Sequence, residues 1–144
     1  MGEGFLRAVC VSNRRGIPKH DIGSGFLKEG FGLEGDAHAG STGWQISILL
    51  EHLMDPVIKK LGERPEPGSF AENLLIGGLE EEAVIAGTVL KIGEAIIKIT
   101  DIGKEDIANH TYSYRGFSLL AEQGRFGEII KSGRIESGDP VEIR

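Results

Sequence analysis

The chain has 144 residues, 40% of them hydrophobic and 26% charged, which suits a single domain spanning 1–144 with a buried core. Its formal net charge is -6, and no basic cluster exceeds Arg14-Arg15 or Lys59-Lys60, so the electrostatic footprint of a nucleic-acid partner is missing. No run approaches a membrane span, no secretory or lipidation pattern is present and Cys10 stands alone, so the expectation is a cytoplasmic protein with a reduced thiol and no membrane partner.

Twenty-two glycines imply many turns and few long helices, hence a strand-rich fold. Phe5 to Ser12 reads as a largely buried strand, with Leu6, Ala8, Cys10 and Ser12 on one face and Phe5, Arg7, Val9 and Val11 on the other. Asn13 to Lys19 reads as a basic, hairpin-like connection, and Asp21 to Leu27 as a returning strand broken by Gly23 and Gly25. Its Gly-Ser-Gly lacks the lysine and hydroxyl of a phosphate loop.

Two dense clusters follow, Gly35-Asp36-Ala37-His38-Ala39-Gly40 and Pro67-Gly68-Ser69-Phe70-Ala71-Glu72-Asn73. Each sets turn-forming residues beside side chains able to donate, accept or ligate, which suits backbone held close to a ligand; each is equally a common surface-turn signal. The simplest picture is two loops facing one cleft. Asp36 and His38 are expected at the surface, so that Asp36→Asn with His38→Ala weakens ligand uptake and leaves thermal stability nearly unchanged.

Between the clusters, Trp44 to Leu50 alternates like a strand, with Gln45 and Ser47 on a face that looks either into the cleft or into solvent. Glu51 to Leu61 has helical spacing, beginning near Asp55 because of Pro56 and stopping at Gly62, and His52 at its boundary reads as structural or exposed. Leu74 to Ile76, Ala83 to Ile85, Thr88 to Ile92 and Ala95 to Thr100 read as strands at the close spacing of a sandwich or barrel, with Glu80-Glu81-Glu82 a solvated turn. Leu119-Leu120, and then Phe126, Ile129 and Ile130, fit two short helical pieces, the second closed by Gly133, before a last strand over Val141 to Ile143.

The two clusters, Gln45-Ile46-Ser47 between them, Ile99-Thr100-Asp101-Ile102-Gly103-Lys104, Gly124-Arg125-Phe126 and Gly133-Arg134-Ile135-Glu136-Ser137-Gly138-Asp139 resemble, in order and spacing, the MOSC domain. That family is named for the C-terminal domain of molybdenum cofactor sulfurase, and the chain looks like its small, stand-alone prokaryotic type. The resemblance implies a mainly β fold, a closed pyruvate-kinase-like β-barrel with a few short helices. It also implies a role in handling molybdenum cofactor (molybdopterin) or sulfur for metal-sulfur clusters, with molybdenum-cofactor or cysteine-desulfurase proteins as partners.

The departure that matters is Asp106, where the family usually has the cysteine that accepts sulfur or ligates metal. A carboxylate cannot hold a persulfide. Trp44 is a second change, standing where a basic residue often flanks the glutamine.

Two function classes stay open. In a binding module, Asp36, His38, Gln45, Ser47, Glu72, Asn73 and Lys104 cradle a small anionic cofactor, with Asp106 reaching the metal through oxygen. In a metal-dependent hydrolase or transferase, Asp36, His38, Asp106 and His110 ligate a divalent ion or move protons, with Asp106 and His38 the catalytic pair.

Overall fold

A computed structural model describes residues 3–40, 44–103 and 112–144. The first strand, β1 (Glu3–Val11), buries Leu6, Ala8 and Cys10 as their alternation predicts, but it buries Val9 as well. Its register against a later strand slips between Leu6 and Ala8, which leaves Arg7 as the extra, outward residue of a β-bulge and breaks the two-residue period. The broken return is two strands, β2 (His20–Asp21) and β3 (Ser24–Lys28), and β3 pairs with β4 (Gly32–Leu33).

β5 (Ile46–Leu50) is buried along its whole length, so it has no polar outer face. A 3-10 turn over Glu51–Met54 leads into α1 (Asp55–Leu61), where Pro56 occupies the first turn and Gly62 caps the end. His52 on that turn is exposed. Beyond it come β6 (Leu74–Gly77), β7 (Val89–Ile92) and β8 (Ala95–Ile102). α2 (Leu119–Gln123) is the first of the two helical pieces read from the sequence.

Two expected elements take another form. Ala83 to Ile85 is not a strand: Glu81–Ala83 is a 3-10 turn, Val84 alone is buried and Ile85 is 50% exposed. The Thr88 hydroxyl accepts from Ile85 N and donates to Ala83 O, a local bond that competes with a sheet ladder. Phe126 to Ile130 is not a helix but the middle of β9 (Arg125–Lys131), and Gly133 opens β10 (Gly133–Glu136) instead of closing a helix. Apolar residues spaced three and four apart in so short a run fit either period, and here pairing with strands on both sides decides.

Among the described residues, seven strands close into a barrel in the order β1, β11 (Pro140–Ile143), β7, β8, β9, β5, β6 and back to β1. Every pairing is antiparallel except β5 with β6. β10, β3 and β4 form a separate three-stranded sheet. The closed barrel is the architecture that the family resemblance implied, and it removes most free strand edges. Leu6, Ile48, Leu74, Leu90 and Ile97 are among the fully buried side chains of its interior.

Candidate functional site

The registers place the end of β1 and the starts of β5 and β6 at one rim: Val9 and Ile48 both oppose Leu74. The sequence clusters sit on that rim. Ala37 N donates to Ser12 O just past β1, while Asn73 N donates to Ser47 O just before β6.

At the centre is a charge pair that the sequence did not announce. Lys19 Nζ lies 2.8 Å from Asp36 Oδ1, and both side chains are 1% exposed. Lys19 also donates to Ser12 Oγ at 3.0 Å, and Asp36 accepts from Ser12 N and His38 N. Burial alone would push the Asp36 carboxyl up, but hydrogen bonding and charge from Lys19, with help from His38 N and the Asn73 side chain, hold it below its ordinary value. The expectation that Asp36 is a surface position is therefore corrected: it is a buried partner in an ion pair.

The second cluster reaches the same lysine through the backbone. Lys19 N donates to Gly68 O, and a Cβ on Gly68 would stand 2.1 Å from Lys19 O, with φ at +88°. Glu72 is fully buried and accepts from Gly68 N at 2.8 Å and Phe70 N at 3.1 Å. Burial raises its pKa to about 7 against the opposing pull of those N-H groups. Ala71 between them is held at φ 69°, a left-handed value unusual for a residue with a side chain.

Ser47 and Asn73 bind each other. Asn73 Oδ1 accepts from Ser47 N and Oγ, Asn73 N donates to Ser47 Oγ, and Asn73 Nδ2 donates to Cys10 O. Gln45 Oε1 accepts from Ile129 N at 2.9 Å. These amides and the hydroxyl brace three strands. The part-exposed His38 ring lies 4.8 Å from Trp44, which lies 4.5 Å from Phe126. Tyr112 donates to Ser69 O and Tyr114 packs edge-on against Phe70, so the chain re-enters against the second cluster.

Asp36, Ser47, Glu72 and Asn73 thus converge, with His38 and Gln45 beside them, and both clusters meet at Lys19. A cleft of about 290 Å³ draws Gly35 from the first cluster, together with Val11, Ser12, Ile17, Pro18 and His20. Another of about 280 Å³ draws Pro67 from the second, and neither draws on both. Lys104, Asp106 and His110 lie outside the described residues. Among the described residues, no three His, Cys, Asp or Glu side chains are grouped as a metal site.

Lys19 and Ser12 were missed because no local pattern marks a lysine between Pro18 and His20 as buried. Only the rule that a buried carboxylate needs a cation could have sent the search upstream of Asp36. Arg125, also buried, donates to Val84 O, Gln123 O and Glu81 O and ties the 3-10 turn to the start of β9.

The MOSC domain family model matches residues 35–142. The chain belongs to the MOSC domain family. Lys19 and Ser12 precede the matched part, so half of this MOSC chain's central ion pair lies outside it. Among solved structures, the MOSC chain is similar to YuaD from Bacillus subtilis (TM-score 0.74, 16% identity, covering 98% of this chain and 95% of that one). It is also similar to YiiM from Escherichia coli (TM-score 0.70, 20% identity, 99% and 69%). A crystallised hypothetical protein matches with TM-score 0.72 and 21% identity over 98% of this chain, which spans 66% of that one. At these identities the likeness establishes the fold. No curated protein matches the MOSC chain. Among the described residues, no helix is long and apolar enough to cross a membrane.

Proposed function

We propose that the chain binds an anionic, pterin-type molybdenum cofactor, or its oxyanion portion, at the barrel rim and does not carry sulfur on a thiol. The observation that supports this most is the meeting of the family's two loop clusters at one buried Lys19-Asp36 pair. The donor set fits such a group. Val11, Ile17 and Pro18 give the 290 Å³ cleft an apolar wall for a flat heterocycle, and Arg14, Arg15 and His20 on the same connection are exposed and suit a phosphate. The carboxylate beneath does not repel the ligand, because Lys19 neutralises Asp36.

In this reading His38 and the cleft residues touch the ligand. Asp36, Gln45, Ser47, Glu72 and Asn73 hold the loops in shape through the hydrogen bonds described above. Lys104 offers a further cation and Asp106 an oxygen donor in place of the family's cysteine. The cofactor, when bound, supplies the molybdenum centre; the chain supplies enclosure and charge. Cys10 does not replace the missing thiol, being buried with its pKa raised first by that burial and then by Glu72.

The test is extraction of purified protein for oxidised-pterin fluorescence alongside metal analysis. Pterin with molybdenum is expected, whereas stoichiometric zinc or iron without pterin would overturn the reading. Incubation with a cysteine desulfurase and cysteine is expected to leave no cyanolysable sulfur on the unaltered chain and to load an Asp106→Cys variant.

A further inference from the structure

We infer that the 280 Å³ cleft beside α1 is a second binding site, for a small carboxylate that carries a ring or branched apolar body. The site lies at the turn after β5 and is independent of the rim proposal. Arg7, the bulged residue of β1, lines it together with Glu51. Its guanidinium is fixed before any ligand arrives: Nε and Nη2 donate to Glu51 Oε2 at 2.7 Å and Oε1 at 3.1 Å, and its carbon sits 4.7 Å from the centre of the Phe5 ring.

One edge of the fork is spent on Glu51; among the described residues, no other side chain accepts a hydrogen bond from Arg7, so its remaining N-H groups are left for a ligand in the cleft it lines. Gly77 makes the arrangement possible. A Cβ there would stand 2.4 Å from Phe5 Cζ and 2.9 Å from Glu51 Oε1, and would displace both supports of the arginine.

Charge and shape then choose the ligand. Arg7 and Glu51 pair with each other, whereas Arg64, which also lines the cleft, makes no ion pair with any described residue. The cleft floor is apolar and close to rigid, formed by Met54 and Leu75, with Pro65 and Pro67 along the side. Two guanidinium groups over such a floor suit a planar carboxylate whose body is stripped of water on binding. The volume suits a single ring better than an extended cofactor.

Titration of the full chain with benzoate, followed by protein NMR, tests the site. Benzoate is expected to shift the Arg7 Nε-H and the Met54 and Leu75 methyl resonances together, while neutral benzamide does not. Arg64 is exposed and makes no ion pair with any described residue, so Arg64→Gln is expected to fold normally and to raise the benzoate Kd about tenfold, the factor for losing one charged hydrogen-bonding partner. Equal uptake of benzamide, an unchanged Kd in Arg64→Gln, or no coincident shifts at millimolar benzoate would overturn the inference.

Discussion

Lys19 and Asp36 meet at 2.8 Å inside the protein, with a loop from each side of the rim fastened to the same lysine. Removing one partner leaves an uncompensated charge where water cannot reach it. Lys19→Met or Asp36→Leu is therefore expected to cost about 3 to 5 kcal/mol in urea unfolding, and the double replacement to recover much of that loss. A single variant as stable as the parent would show that the pair does not hold the loops together.

Gly68 offers a backbone counterpart. A side chain there meets Lys19 O, whereas Gly16, also at positive φ, has nothing within 4 Å of an added Cβ. Gly68→Ala is expected to destabilise by about 2 kcal/mol or more through that clash. Gly16→Ala should lose only about 1 kcal/mol, from backbone conformation alone. Equal midpoints for the two variants would contradict the packing described for the second loop.

The raised pKa of Glu72 gives stability a direction with pH. An acid that ionises near 7 when folded and near 4.5 when unfolded favours the folded state fully below the lower value. That contribution is lost as pH rises through 7, a change on the order of 3 kcal/mol. Asp36, held below its ordinary value, acts in the opposite sense and loses its contribution as pH falls through its own folded pKa. Chemical denaturation from pH 4.5 to 8 is expected to show falling stability in the parent and a flatter profile in Glu72→Gln, whatever its baseline.

Cys10 provides a direct readout of closure. It is 0% exposed and its thiol is pushed up in pKa, so Ellman's reagent at neutral pH should react only as fast as the barrel opens. Rapid labelling under native conditions would place the thiol at the surface and reopen a sulfur-carrying role.

Much of the architecture was legible in the sequence, because β-branched runs separated by glycine leave little choice but a closed or layered sheet. Where the reading failed, two periods fitted equally well, as at Phe126 to Ile130, or a single hydroxyl redirected the backbone, as Thr88 does at Ala83. The candidate site was legible as a place and not as a set of roles. Ser47 and Asn73 look, in sequence, like groups turned toward a ligand, but folding turns them toward each other. Lys19 is separated from Asp36 by 17 residues, and only the pairing of β1 with β2 and the Lys19-Gly68 bond bring it home.

The pairing of Glu3, Gly4 and Phe5 with Pro140, Val141 and Glu142 carries a kinetic implication. During synthesis the ring cannot be sealed until residues 140–143 have cleared the ribosomal tunnel, and until then β1 presents an unpaired flank beside an otherwise assembled sheet. Nascent chains stalled short of that point should be the species that chaperones engage and that aggregate when chaperones are scarce.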